Sequence, residues 1–158
     1  DSAYMVIVCL EEMLKREITS GGIELRDNPP ELTGDPPAVT PIPIPTLVLE
    51  LMNEKEAFIK EQPDHEEAAK FKYQSAQNYY RYGYWEDAKT RYAELYDAYC
   101  KKDPMAYVSW QALMNMAVDL NDLDEKERLA LLQKERKCST EGVEELTGVA
   151  DAIDIRQC

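Results

Sequence analysis

The single histidine, His65, stands among Asp64, Glu66 and Glu67. An imidazole beside carboxylates is the pairing of general acid–base work. Here all four fall in the first turn of a predicted helix, where acidic residues complement the helix dipole, and His65 is expected to be solvent-exposed. There is no Gly-x-Ser-x-Gly elbow, no phosphate loop and no His-Glu-x-x-His pair. Asp119-x-Asn121 begins like a calcium loop, but Leu123 takes the next ligand position and no glycine follows. With 31 acidic residues against 18 basic ones, neighbouring carboxylates carry no information about catalysis. The sequence therefore predicts no enzyme, no metal site and no cofactor.

The four cysteines, Cys9, Cys100, Cys138 and Cys158, contain no C-x-x-C pair, so a zinc knuckle has no support. Cys100 and Cys138 lie close to one helix-pair repeat apart, and each follows the last turn of the second predicted helix of its pair. In a stacked array such equivalent ends approach one another, so a Cys100–Cys138 disulfide is predicted, and with it an oxidising compartment. The alternative is two reduced, buried thiols in a cytosolic protein. Pairing of Cys9 and Cys158 stays open.

Nine of the ten tyrosines fall between Tyr73 and Tyr107. There Ala76 and Tyr79 share a helix face, Gly83 ends that helix, and Ala88 and Tyr92 form an i, i+4 pair on the next. The alanines let the two helices approach closely while the aromatics fill the space beside them. Around this hairpin, residues 1–20 read as an amphipathic helix with Met5, Val6, Cys9, Leu10, Met13, Leu14 and Ile18 inward and Ser2 as cap. Residues 21–45 hold all but two of the nine prolines and are expected to lie as an extended strap across the helical surface. Residues 46–158 form the helical repeat domain. Its helices are predicted from Thr46, a cap, to about Lys60; Asp64 to Tyr82; Glu86 to Cys100; Met105 to Leu120; and Asp124 to Arg136. A weaker final helix opens at Ser139 or Thr140 and contains Val143, Leu146, Val149 and Ile153. The class is all-α.

The formal net charge of −13 disfavours nucleic acid and anionic lipid as partners. The apolar run from Ala3 to Leu10 is too short for a bilayer, which needs about 20 residues, so no membrane-spanning segment is expected. Val8 before Cys9 is too large for a lipoprotein site. The start at Asp1 and the end at Cys158 are read as those of a processed product or a fragment.

The stretch from about Lys70 to Pro104 resembles a tetratricopeptide repeat, with Ala76, Tyr79, Gly83, Ala88 and Tyr92 at the matching positions. It departs from the pattern at Ser75, where leucine is usual, and at Cys100, where the closing proline belongs. Met105 to Arg136 is similar to a second, poorer copy, with Asn121 or Asp122 near the glycine position. The run Tyr80-Arg81-Tyr82-Gly83-Tyr84-Trp85-Glu86-Asp87-Ala88, then Ala93-Glu94-Leu95-Tyr96 and Asn121-Asp122-Leu123-Asp124, resembles envelope-associated tetratricopeptide proteins of myxobacterial type, some tied to gliding motility.

That resemblance implies a periplasmic or outer-membrane-associated scaffold, with Tyr73, Gln77, Tyr80 and Arg81 on a concave partner-binding face. The competing possibility is that Tyr73 and Tyr80 pack against helix 46–60 or the strap. A carboxyl-terminal clamp is not expected, because Tyr73 and Gln77 occupy the sites that would need lysine and asparagine. Two functions follow as expectations. One is a non-enzymatic adaptor for a protein or peptide partner; the other is a structural subunit whose repeats stack without a free groove.

Overall fold

The computed structural model describes residues 2–144 and 146. Apolar residues at threes and fours build six helices: α1 (Ser2–Ser20), α2 (Thr46–Glu61), α3 (Ala68–Arg81), α4 (Trp85–Tyr99), α5 (Met105–Asp119) and α6 (Leu123–Arg136). Among the described residues no strand forms; Thr33 and Ala38 make only an isolated bridge. Each helix packs on the next in the chain, and α3 also touches α5.

Two apolar clusters share α3. Ile7, Leu10 and Leu14 of α1 meet Leu51, Met52 and Phe58 of α2 and Phe71 of α3 in the first. Tyr73 and Ala76 of α3 join Ala88, Tyr92 and Leu95 of α4, Ala106 and Met116 of α5, and Leu129 of α6 in the second. Ala76 and Ala88 are wholly buried, as their place at a close helix crossing requires. Being packed on both sides, α3 buries polar residues as well, including Gln74, Ser75, Gln77, Asn78 and Arg81.

Several local expectations need correction. On α1 the inward residues are Ile7, Leu10 and Leu14, whereas Met5, Val6, Cys9 and Met13 face outward. Thr46 is the first helical residue of α2 and provides no side-chain cap; Pro45 precedes it. Helix α3 starts at Ala68 instead of Asp64. The intervening backbone turns through His65 N–H to Gln62 O and Ala68 N–H to His65 O. His65 is half-buried, not exposed: its ring meets the edge of Phe58 at 4.9 Å, and its Nδ1 accepts from the Glu67 N–H. Val143 and Leu146 pack on the second cluster in helical backbone. Val149, Ile153 and Cys158 lie outside the described residues.

Gly83 closes α3 at φ +87° and touches the proline-rich segment, whose Ile42 N–H donates to Tyr82 O at 2.9 Å. A Cβ on Gly83 would stand 2.9 Å from Pro41 Cα and 3.0 Å from Thr40 O, both backbone atoms. Leu32 and Val39 of the same segment pack on the second cluster, and Leu25 and Ile44 on the first. Gly83→Ala is therefore expected to cost about 1–3 kcal/mol in strain, with the clash added. Gly21→Ala is the control, because Gly21 has φ +83° and nothing within 4 Å of its Cβ position. Urea midpoints should fall further for Gly83→Ala; equal losses would show that the contact with Pro41 contributes nothing.

Candidate functional site

Helix α3 presents Tyr73, Gln77, Tyr80 and Arg81 at spacings of four, three and one, which places them on one face. All four line a single cavity of about 290 Å³. Helix α5 supplies the opposite wall through Val108, Gln111, Ala112 and Asn115, which follow the same helical spacing. Tyr92 of α4 forms part of the lining, and Asp27 of the proline-rich segment borders it.

The Tyr73 ring lies 5.7 Å from that of Tyr92, and Tyr80 stacks on Trp85 at 5.1 Å with planes 17° apart. Trp85 Nε1–H in turn donates to Tyr80 O. Burial pushes the Tyr80 hydroxyl above its ordinary range; Asp119 pushes in the same direction, and Arg81 opposes. Burial drives Tyr92 further up, with Tyr73 and Tyr80 adding to it. Both hydroxyls therefore stay neutral in ordinary buffers. Gln77 is 7 % exposed, yet its side-chain Oε1 accepts no hydrogen bond. Leaving a buried acceptor unmatched costs about 1–3 kcal/mol.

On another surface, Glu56 of α2 accepts from Ser75 Oγ at 2.7 Å and from Arg91 Nη2 at 3.2 Å. Arg91 lies over the Tyr79 ring, 4.1 Å from its centroid. Ser75 is wholly buried and spends its hydroxyl on Glu56. Burial works to raise the Glu56 carboxyl, but the bonds from Arg91 and Ser75 outweigh it and hold the carboxyl below 4.5. A depressed carboxyl pKa contributes stability above the unfolded value, and that contribution is lost as pH falls through the folded value. The stability gap between wild type and Glu56→Gln should therefore narrow below about pH 4.5 and close at more acid pH. Urea titrations between pH 3 and 7 read this; a gap independent of pH would refute it.

Cys100 and Cys138 stand at disulfide distance, with Cα atoms 4.6 Å apart. Cys9 is free and exposed. Among the described residues no three His, Cys, Asp or Glu side chains converge as a metal ion would need, and no helix is long and apolar enough to cross a membrane. Trp110 is partly buried, and its Nε1–H donates to Leu129 O.

Sequence reasoning missed the α5 wall, although Val108, Ala112 and Asn115 carry the same spacing signal as the α3 residues. It also missed Asp27, for which no periodic signal exists. No family model, curated protein or solved structure matches this chain.

Proposed function

We propose that this protein is a non-enzymatic interaction module whose tetratricopeptide-like helix pairs present the α3/α5 groove to a peptide of a protein partner. The observation that carries this reading is the cavity itself, which Tyr73, Gln77, Tyr80 and Arg81 of α3 line together. Spacing supports the repeat reading. Asn121, at φ +56°, ends α5 as Gly83 ends α3, and it follows Gly83 by the same 38 residues that separate Cys138 from Cys100. The proline-rich segment acts as a strap that closes over the α3–α4 turn. A disulfide between Cys100 and Cys138 favours an extracytoplasmic, envelope-associated location.

A displayed random-peptide library tests the groove. Peptides should be enriched on the wild-type chain and lost on Asn115→Trp, which adds bulk at an exposed lining position. Enrichment unchanged by Asn115→Trp, or none at all, would refute the reading. Intact-mass analysis with thiol alkylation of protein from its native cells tests the compartment; free thiols at both Cys100 and Cys138 would overturn it.

A second reading, a structural subunit that stacks on further copies, has one observation in its favour. Met5, Met13 and Val6 are 55, 49 and 44 % exposed along one stripe of α1. Sedimentation equilibrium separates the two readings, since a stacking subunit forms a tight oligomer that Met13→Glu dissolves.

A further inference from the structure

We propose that the outer face of α6 is a dimer interface, on which a second copy of this chain lays its own α6 antiparallel to the first. This stands apart from the groove, since no residue of α6 lines the α3/α5 cavity. Helix α4 packs on both α3 and α5 and buries five side chains, whereas α6 packs on α5 and buries one, Leu129. The opposite side of α6 is open. There Leu123, Glu127, Ala130 and Lys134 follow one another at steps of four, three and four, the spacing of a helix-pairing seam, and Leu131 flanks them. All five are exposed. Leu123, at 69 %, is the most exposed large apolar side chain among the described residues, and Leu131 stands at 55 %.

The charges of the seam decide what covers it. Among the described residues the ion pairs of α6 join Arg128 to Glu125 and Arg136 to Asp97, which leaves Glu127 and Lys134 without one. Three and four positions from Glu127 stand Leu123, Asp124, Ala130 and Leu131; the same steps from Lys134 reach Ala130, Leu131, Lys137 and Cys138. Neither finds an opposite charge beside it on its own helix. Seven residues separate the two, about 10 Å along the axis, so they do not reach each other.

Glu127 lies as far before the Ala130–Leu131 bond as Lys134 lies after it. A two-fold axis through that bond therefore brings Glu127 to the partner's Lys134 and, by the same operation, Lys134 to the partner's Glu127. At the axis Ala130 meets its own equivalent and lets the helices approach, while Leu131 meets the partner's Leu131 and leaves water. Parallel pairing would instead set each charge against its like. An acidic or basic peptide would match one charge of the seam and oppose the other. The self-complementary occupant is a second α6.

The 14 residues of α6 give a seam about 21 Å long. So small an interface predicts a dissociation constant of about 1–100 µM. Sedimentation equilibrium of the full chain, with free thiols alkylated in the absence of reductant, should show a monomer–dimer equilibrium in that range. Glu127→Lys and Lys134→Glu each turn two attractions into two repulsions and should weaken dimerisation at least about tenfold. An equimolar mixture of these two variants sets opposite charges together again, as does the double variant, and each should recover wild-type affinity within about threefold. Recovery on mixing also shows that both variants are folded. Met13→Glu should leave the dimer unchanged, which separates it from stacking through α1. A wild-type chain still monomeric at about 1 mM, oligomers larger than a dimer, single variants that dimerise like wild type, a mixture that stays dissociated, or dimers that Met13→Glu dissolves would overturn the proposal.

Discussion

Lys55→Ala is expected to lower the unfolding free energy by about 2–5 kcal/mol, because it deletes a fully buried side chain and orphans the amide it pairs with. Lys55 is 1 % exposed in the middle of α2, where the positions around it, Val48, Leu51, Met52, Phe58 and Ile59, are all apolar and buried. Its Nζ donates to Gln74 Oε1 at 2.7 Å, lies 3.1 Å from Glu11 Oε1 and sits 5.0 Å from the centroid of the Phe71 ring. One ammonium thus joins α1, α2 and α3. Alanine would delete the stem as well as the charge and leave both ends of the Gln74 amide unmatched, because Gln74 Nε2 already has no acceptor. Domains of this size are stable by only about 5–15 kcal/mol, so the variant should stand near the edge of folding.

Lys55→Met separates packing from charge. It keeps the stem against Phe71, and Glu11, at 20 % side-chain exposure, can recover water. Its cost should therefore be clearly smaller than that of alanine, and adding Gln74→Leu should cost little more, since that change removes the orphaned amide. Urea denaturation followed by far-ultraviolet circular dichroism measures all three. A loss below about 1 kcal/mol for Lys55→Ala would mean that the three-helix junction does not depend on this network.

The same residue shows where sequence reading stops. Helices α2, α4 and α5 are legible because apolar residues recur at threes and fours between strong breakers such as Pro63, Gly83 and Pro104. Lys55 occupies an inward position of that period, but a lysine there reads as polar until its partners Glu11 and Gln74 are known, and those come from other helices. Helix α1 offers overlapping apolar stripes, and only the position of α2 decides that Ile7, Leu10 and Leu14 turn inward. Helix α3 starts late because the backbone of residues 62–67 follows turn bonds, with the Glu67 N–H committed to His65 Nδ1. The four groove residues of α3 are legible as one face of one helix. The opposing α5 wall and Asp27 depend on how distant segments dock, which no local period records.

Reduction of the Cys100–Cys138 pair is expected to lower stability by about 3–4 kcal/mol, the loop-closure value for 38 residues. The loss should be largest at the carboxyl-terminal end of the described fold, because α6 is weakly anchored without it. Leu129 is the one fully enclosed side chain of α6. Leu132 adds a partly buried contact with the second cluster, and further ties are polar: Tyr96 O–H donates to Gln133 Oε1 at 2.6 Å, Gln133 Nε2–H to Cys138 O at 3.2 Å, and Ser139 N–H to Cys100 O at 3.1 Å. Arg136 pairs with Asp97 on the surface, where an ion pair contributes little. Cys138 itself is 3 % exposed, so Cys138→Ala preserves burial while removing the tether. Hydrogen exchange should show amides of α6 losing more protection than those of α3, where residues pack on both clusters. Trp110 provides an independent reporter, since its indole N–H donates to Leu129 O across the α5–α6 interface at 2.8 Å. Its emission should shift toward the red at lower urea in the reduced protein than in the oxidised one. Coincident transitions, with both thiols quantified as free, would show that α6 is held by packing alone.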